Sequence, residues 1–551
     1  MPAYAHLIGF ETGGIQAFIF EGRRLREMRG ASALLDQEGG RALRALVEER
    51  FGERADVLRS QGGVLLLGVP EGTGDPEALV NEIETAVLGH LRAEVPGASV
   101  YAARVACEAG QDVSDQLARF NFAVARRQGQ SPAADPGAEL LGPLARFCDS
   151  CGRRPAAEPV SVGGDADLLC RVCARKSDYG RRVRHGQAPG SAFARFARYA
   201  DERDGWSEAD VREAVPDDFG AIAETAPDGD LALILADGNR LGQTLRHLTS
   251  FEQYTAFSRG VAEVVEDAVF EALAEATETH RTPDARDEMP WEIVFLGGDD
   301  VLLVTAADLA LPVALALMEK VEEKSAALME ELGLAEHRER IAMAAGVAIG
   351  PPSTPFDALR ELASALEGRA KDAAYARLEA GTPECSTIDF HRLTSSGQVS
   401  LARIREQEMR PRRRPAGEDV RLTMRPYTTE GLRGVLRVAK RWNAGGLPGH
   451  KLQYLRERLF ESPAEAALGW THVIGRASEK RRSTWRALSD HTRAAQSDGT
   501  ARPATRPNGS SGGDETLRMP WLVEDGDADS PARRYTYLFD VLDLMRGLPS
   551  G

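Results

Sequence analysis

Apolar runs alternate with helix-period segments along most of the chain, and the clearest block opens at Leu231. Leu231–Ala236 is a short continuous apolar run, the mark of a buried strand, and it ends at Asp237. Phe251, Tyr254, Phe257, Val261, Val264, Val265, Ala268 and Val269 then recur mostly at spacings of three and four, which predicts an amphipathic helix. Ile293–Leu296 and Val301–Val304 are β-rich runs joined by Gly297-Gly298-Asp299-Asp300, a predicted hairpin. A second helix is expected over Leu309–Leu332, and a fourth strand over Ile341–Ile349 stops before Pro351-Pro352. A third helix starts near Phe356, with Leu359, Leu362, Leu366 and Ala370 on one face. The order β-α-β-β-α-β is ferredoxin-like.

A fainter copy lies at the N-terminus. His6–Phe10 reads as a strand, a helical stretch runs to about Arg50, Val64–Leu67 is a strand, Pro76–Glu94 a helix and Ser99–Cys107 a strand. Its hairpin, Ser60-Gln61-Gly62-Gly63-Val64, keeps the glycines and lacks both acids, so the two blocks look like a duplicated domain. The expected organisation is α+β and multidomain. Two ferredoxin-like domains (1–145 and 229–395) are joined by a four-cysteine element (146–178) and a helical connector (179–228). A mainly helical C-terminal domain (396–551) follows, with a disordered loop near 497–515 rich in Gly, Ser, Thr, Pro and Asn. Tyr535–Leu548 reads as an amphipathic helix that docks back on that domain.

With 551 residues the chain is long enough for three or four domains at about 150 residues each. Its 68 basic and 84 acidic residues leave a net charge of −16, which disfavours a stand-alone basic nucleic-acid binder. No run approaches the roughly 18–20 apolar residues that span a bilayer, no signal peptide opens the chain, and no membrane partner is expected. Six cysteines make no disulfide framework, and metal-ligand spacing in four of them points to a reducing cytoplasm. Cys107 and Cys385 read as inert thiols.

Cys148-x2-Cys151 and Cys170-x2-Cys173, eighteen residues apart, can close two knuckles on one structural Zn²⁺ with no open coordination position. Two redox pairs are the other reading, but no thioredoxin-like unit surrounds them. Asp299 and Asp300 at a hairpin tip repel each other, and a divalent cation is the natural compensation. In this strand order Asp237 approaches them from the neighbouring strand end, with Gly238 permitting close backbone approach. The three carboxylates make a one- or two-metal Mg²⁺ or Mn²⁺ site suited to phosphoryl or nucleotidyl transfer. Gly-Gly-Asp-Asp alone also serves an ordinary turn. What favours chemistry is its conjunction with Asp237 and the element order. Lys371 is a solvated helix lysine or, beside such a site, a point charge for a triphosphate. Gly13 and Gly14, followed by Arg23, Arg24, Arg26 and Arg29, read as a solvated helix face or as a phosphate-binding turn. Arg410–Arg414 and Lys480–Arg486 with Trp485 are candidate RNA or subunit contacts, or plain surface charge.

Taken together these residues resemble the large polymerase- and cyclase-like subunit of type III CRISPR effector complexes. Gly14–Phe20 (GIQAFIF) followed by Arg29-Gly30-Ala31-Ser32 resembles the family's first palm. The four cysteines between two palms, Gly297–Asp300 and the Ala370-Lys371 pair also fit. Ile388-Asp389-Phe390-His391 and Arg425-Pro426-Tyr427-Thr428 are similar to segments at and beyond the end of the second palm, especially in the Cmr-type branch. The resemblance implies conversion of ATP to cyclic oligoadenylate in antiviral defence, within an RNA-guided complex of guide RNA, target RNA and other type III subunits. It implies Asp237, Asp299 and Asp300 as catalytic metal ligands. Gly238, Asn239, Gly297, Gly298, Lys371, Gly13 and Gly14 would lie along the nucleotide, and the acid-free palm would hold a partner ATP. Two departures stand out. The family's N-terminal HD nuclease is not expected here, and Glu11 and Asn239 stand where relatives often show aspartate. The alternatives are a non-catalytic scaffold subunit and a cyclic dinucleotide synthase of different base preference.

Overall fold

The computed structural model describes residues 4–108, 110–130, 146–162, 165–203, 206–280, 288–393, 400–405, 409–415, 418–444, 448–477, 482, 502–503, 522–524 and 532–545. It forms two compact units: Met1–Thr225 with Ile234–Thr305 and Ala316–Met343, and Ala226–Leu233 with Ala306–Leu315 and Ala344–Gly551.

The first unit opens with β1 (Tyr4–Gly13), α1 (Ile15–Phe20) and α2 (Leu25–Leu34). One wide π-helical stretch, Leu35–Arg41, leads into α3 (Ala42–Phe51). It contains Gly39-Gly40, a pair that weakens an α-helix interior, so the predicted single helix is broken there. β2 (Asp56–Gln61) and β3 (Val64–Pro70) form a hairpin, followed by α4 (Pro76–Glu94), β4 (Ser99–Ala106) and α5 (Val113–Gln130). The sheet order is β2-β3-β1-β4. Its partners all run antiparallel, with Glu11 opposite Val64 on one side and Tyr101 on the other. Helix α4 starts as its residues dictate: Pro76 sits in the first turn and Asp75 caps the Ala78 N–H. Its Leu79, Val80, Ile83, Val87 and Leu91 form one buried stripe. Gly9 is required under α5, because a Cβ there would stand 2.2 Å from the Phe120 ring.

Next come β5 (Glu158–Val162), β6 (Asp165–Leu169) and α6 (Arg171–Arg184), then α7 (Ala192–Asp201), α8 (Glu208–Glu213) and α9 (Phe219–Glu224). Helices α6 and α2 cross where neither carries a side chain. A Cβ on Gly30 would lie 1.8 Å from the Lys176 carbonyl oxygen, and one on Gly180 would lie 2.1 Å from that of Arg26.

The second block follows: β7 (Leu231–Gly238), α10 (Leu241–Thr244), α11 (Phe251–His280), β8 (Trp291–Gly297), β9 (Asp300–Ala306), α12 (Ala310–Glu331), β10 (Met343–Gly350), α13 (Phe356–Glu379) and β11 (Thr387–Arg392). β12 (Glu418–Arg421) and β13 (Tyr427–Thr428) come next, and β13 joins the large sheet, which runs β13-β11-β10-β7-β9-β8. Its last four strands repeat the connectivity of the first sheet. β11, a strand beyond the expected β-α-β-β-α-β block, pairs in parallel with β10, so the second sheet is mixed.

In the second unit, Arg425 is fully buried against Asp540 (2.9 Å) and Asp543 (2.8 Å) of the helix Leu538–Leu544, which docks that helix. The C-terminal region also holds a small sheet that periodicity did not reveal. It comprises β12, β14 (Arg502–Pro503), β15 (Leu522–Glu524) and β16 (Ala532–Tyr535) in the order β12-β16-β15-β14. Most of the loop expected at 497–515, and all of Lys480–Arg486 except Arg482, lie outside the described residues. Among those described, no helix is long and apolar enough to cross a membrane.

Within the first unit, Arg29 of α2 meets Glu292 of β8, with side chains 4% and 0% exposed. Arg29 Nε donates to Glu292 Oε1 (3.1 Å) and Oε2 (3.0 Å), and Nη2 donates to the Pro216 carbonyl (2.9 Å). Removing one member of such a pair strands a buried charge at a cost of about 3–5 kcal/mol, whereas replacing both with apolar residues costs far less. Glu292→Ala is therefore expected to lower the thermal unfolding midpoint strongly. The double variant Arg29→Met with Glu292→Leu should recover most of that loss. Equal destabilisation by both would show that the pair is not what holds α2 to β8.

Candidate active site and metal centre

Asp237 closes β7 and Asp299 sits at the tip of the β8–β9 hairpin, where Gly297 opposes Asp300 in the ladder. Gly298 takes a left-handed conformation (φ 69°), which is what lets the turn close. The neighbouring Gly238 lets the acid approach: a Cβ there would be 2.9 Å from Asp299 Oδ2 and 3.1 Å from its Cβ. The Asp299 carboxyl is pushed up to about 6, first by burial, then by the charge of Asp237 and by a hydrogen bond with it. These two carboxyl groups therefore share one space. Asp300 opens β9 and is exposed.

Asn239 follows, 1% exposed, and neither its Oδ1 nor its Nδ2 has a hydrogen-bond partner. Its backbone is firmly held. Its N–H donates to the Ala342 carbonyl (2.8 Å), and its own carbonyl accepts from Arg338 Nη2 (2.8 Å). A buried amide left unsatisfied costs about 1–3 kcal/mol, so it belongs beside a polar ligand. Two crowded carboxyl groups and an orphaned amide are hard oxygen donors, a set that fits Mg²⁺ or Mn²⁺.

Lys371 lies on α13 and pairs with Glu367 (2.8 Å), one turn earlier. Gly13 ends β1 against the Tyr101 ring, and Gly14 takes φ 64° at the start of α1. The arginines that follow them do not form a free phosphate-binding patch. Arg29 is bound to Glu292, Arg24 to Asp167, and Arg26 stacks its charge beside Arg181 under α6. Acids distant in sequence, invisible to local charge counting, thus take up Arg24 and Arg29.

One residue near the hairpin carried no local signal. The tip of the β2–β3 hairpin abuts that of β8–β9, so closely that a Cβ on Gly297 would be 3.2 Å from the Gly62 Cα. Arg59 of β2 extends along this contact. Its Nη2 is 3.4 Å from where a Cβ on Gly62 would stand and 3.9 Å from where one on Gly298 would stand.

The four cysteines converge as well. All four Sγ atoms lie within 4.8 Å of one another and all are buried. Cys151 and Cys170 Sγ are 3.9 Å apart, close to the edge of about 3.8 Å that four sulfurs at about 2.3 Å from one tetrahedral zinc define. Gly152 turns the first knuckle with φ 64°, and Cys170 caps α6, accepting from the Cys173 N–H at 3.4 Å. The cluster is compatible with a structural zinc. Cys107 lies elsewhere, its thiol pushed up to about 11 by burial. Cys173→Ser is expected to lower bound zinc from about one per chain and to depress the unfolding midpoint by several degrees. Unchanged metal content by atomic emission would exclude the cluster as the ligand set.

No curated protein matches the chain. Similar solved structures include Csm1 in T. onnurineus, at 16% identity and TM-score 0.49, covering 89% of this chain and 64% of that one. The Csm1-Csm4 cassette in complex with AMPPNP matches at 17% identity and TM-score 0.41, and the cassette with cA4 at 16% and 0.41. Each covers 67% of this chain and 53% of the other. The chain thus spans between about half and two-thirds of the length of these relatives. Residues 230–377, the span that carries Asp237, the Gly-Gly-Asp-Asp hairpin and Lys371, match the Cas10/Cmr2 second palm domain.

Proposed function

We propose that the chain is an ATP-dependent nucleotidyltransferase that makes cyclic oligoadenylate, acting as the large subunit of an RNA-guided type III CRISPR complex with guide RNA, target RNA and other subunits. The observation that carries this reading is the meeting of Asp237 and Asp299 across Gly238 inside a span that matches the Cas10/Cmr2 second palm.

In this reading Asp237, Asp299 and Asp300 hold Mg²⁺ or Mn²⁺. A divalent cation bound there would make a 3′-hydroxyl more acidic and neutralise charge on the phosphates. The residues themselves do the positioning. Asp237 and Asp299 fix one locus from two adjacent strand ends, and Gly238, Gly297 and Gly298 keep the backbone low enough for a triphosphate to approach. Asn239 offers its buried amide to the nucleotide. The 3′-oxygen of one ATP bonds to the α-phosphorus of another as the bond to the β-phosphate oxygen breaks. Pyrophosphate leaves and the hydroxyl proton passes to water. Repeating the step and closing the chain on itself yields the ring.

Incubation with ATP and Mn²⁺, alone and with guide RNA, target RNA and partner subunits, is expected to give cyclic oligoadenylate by mass spectrometry. Asp237→Ala with Asp299→Ala should lower turnover by at least about 10²–10³ while the fold is retained. Product formation unaffected by that change would refute the site, and silence of the wild-type chain in the full complex would favour a scaffold.

The raised Asp299 carboxyl also sets a pH dependence. Its folded value of about 6 exceeds the unfolded value of about 3.9, so between these the folded chain binds more protons. Stability from this group is therefore present below about 4 and lost as pH rises through about 6. Mg²⁺ should compensate the charge, raising the unfolding midpoint more at pH 7.5 than at pH 5. Asp299→Asn should remove both the pH effect and the Mg²⁺ effect. A Mg²⁺ shift that survives in that variant would place the ion elsewhere.

A further inference from the structure

We infer that Arg59, supplied by the acid-free first palm, binds the triphosphate of the nucleotide held at the Gly-Gly-Asp-Asp hairpin. The inference rests on the nucleotidyltransferase reading and names a residue for that site.

Three observations converge. The two hairpin tips touch at glycines, Gly62 against Gly297, so anything carried on β2 near its tip lies at the second hairpin's turn. The β2–β3 ladder slips by one residue between Val57 and Arg59. Such a bulge re-aims the side chains that follow it, and here Leu58 is buried in the core (5% exposed) while Arg59 is half-buried beside the tips. The Arg59 guanidinium has no hydrogen bond or ion pair among the described residues.

An arginine in this state has planar donors to spare, and its charge does not fall into the carboxyl pair. Guanidinium forks match phosphate oxygens, and a cation placed where negative charge accumulates favours departure of pyrophosphate. The carboxylates gather the divalent cation and Arg59 faces the anion, so the two parts of the triphosphate site come from different copies of the duplicated domain. Arg59 would touch the substrate itself.

The test uses the full-length chain with Mn²⁺ and three probes: ATP, inorganic triphosphate and adenosine, with affinity read by calorimetry. Arg59→Ala is expected to weaken ATP and triphosphate binding tenfold or more and to leave adenosine unchanged. Arg59→Lys should recover part of the loss, because it restores the charge without the fork. Turnover in the complete complex should fall by about 10²-fold or more in the alanine variant. Affinities within twofold of wild type in both variants overturn the role of Arg59 and leave the carboxylate site standing. Equal loss of adenosine and triphosphate also overturns it, since that pattern marks a collapsed hairpin. A wild-type chain that binds neither ATP nor triphosphate overturns Arg59 and the nucleotide reading together.

Discussion

The first unit is organised around backbone contacts that only glycine permits. At Gly62 and Gly297 two hairpin tips come within van der Waals reach of each other's main chain, and at Gly30 and Gly180 two helices do the same. A single methyl at the helix crossing would overlap backbone atoms, which cannot rotate away as a side chain can, and one at the hairpin tips would stand only 3.2–3.3 Å from the facing main chain. The first contact places Arg59 beside the turn that carries Asp299. The second clamps α6, whose first turn is built from Cys170 and Cys173, onto α2, which carries Arg29 to Glu292. The cysteine cluster and the carboxylate hairpin are thus tied through a short series of rigid contacts within one unit.

Much of this was legible in the sequence, for a physical reason. A buried strand must be apolar on both faces, so Leu231–Ala236, Ile293–Leu296 and Val301–Val304 announce themselves. The turn between the last two needs φ above zero, and Gly298 supplies it. Cysteine spacing is equally local, because two residues between thiols suffice to make a knuckle. What escaped was tertiary. The run of arginines after Gly14 looked like one patch, yet Glu292 and Asp167, the partners that neutralise two of its members, lie more than 140 positions away. Arg59 belongs to a strand, Asp-Val-Leu-Arg-Ser-Gln, with little apolar alternation and a bulge inside it. The C-terminal sheet is built from strands of two to four residues, too short to show a period.

The buried charges divide into two kinds. Arg29 with Glu292, and Arg425 with Asp540 and Asp543, are closed sets in which opposite charges and hydrogen bonds offset desolvation. Asp237 with Asp299 is of the other kind: two like charges meet, and burial and Asp237 together raise the Asp299 carboxyl. Closed sets hold elements in place. A crowded like-charge pair spends stability, and carboxyls perturbed in this way are enriched at functional centres.

The asymmetry between the two palms follows from the same electrostatics. The first sheet and the last four strands of the large one have the same connectivity, and their hairpin tips meet directly. Acids at both tips would crowd four carboxylates around one glycine contact, and each like-charge pair at 4 Å costs about 4 kcal/mol at an effective dielectric constant of about 20. One copy can keep its acids only if the facing tip is neutral or positive. Gln61, Gly62, Gly63 and Arg59 meet that condition. An acid-free first tip is therefore electrostatically compatible with the facing hairpin that carries Asp299, and Arg59 adds a cation to the junction.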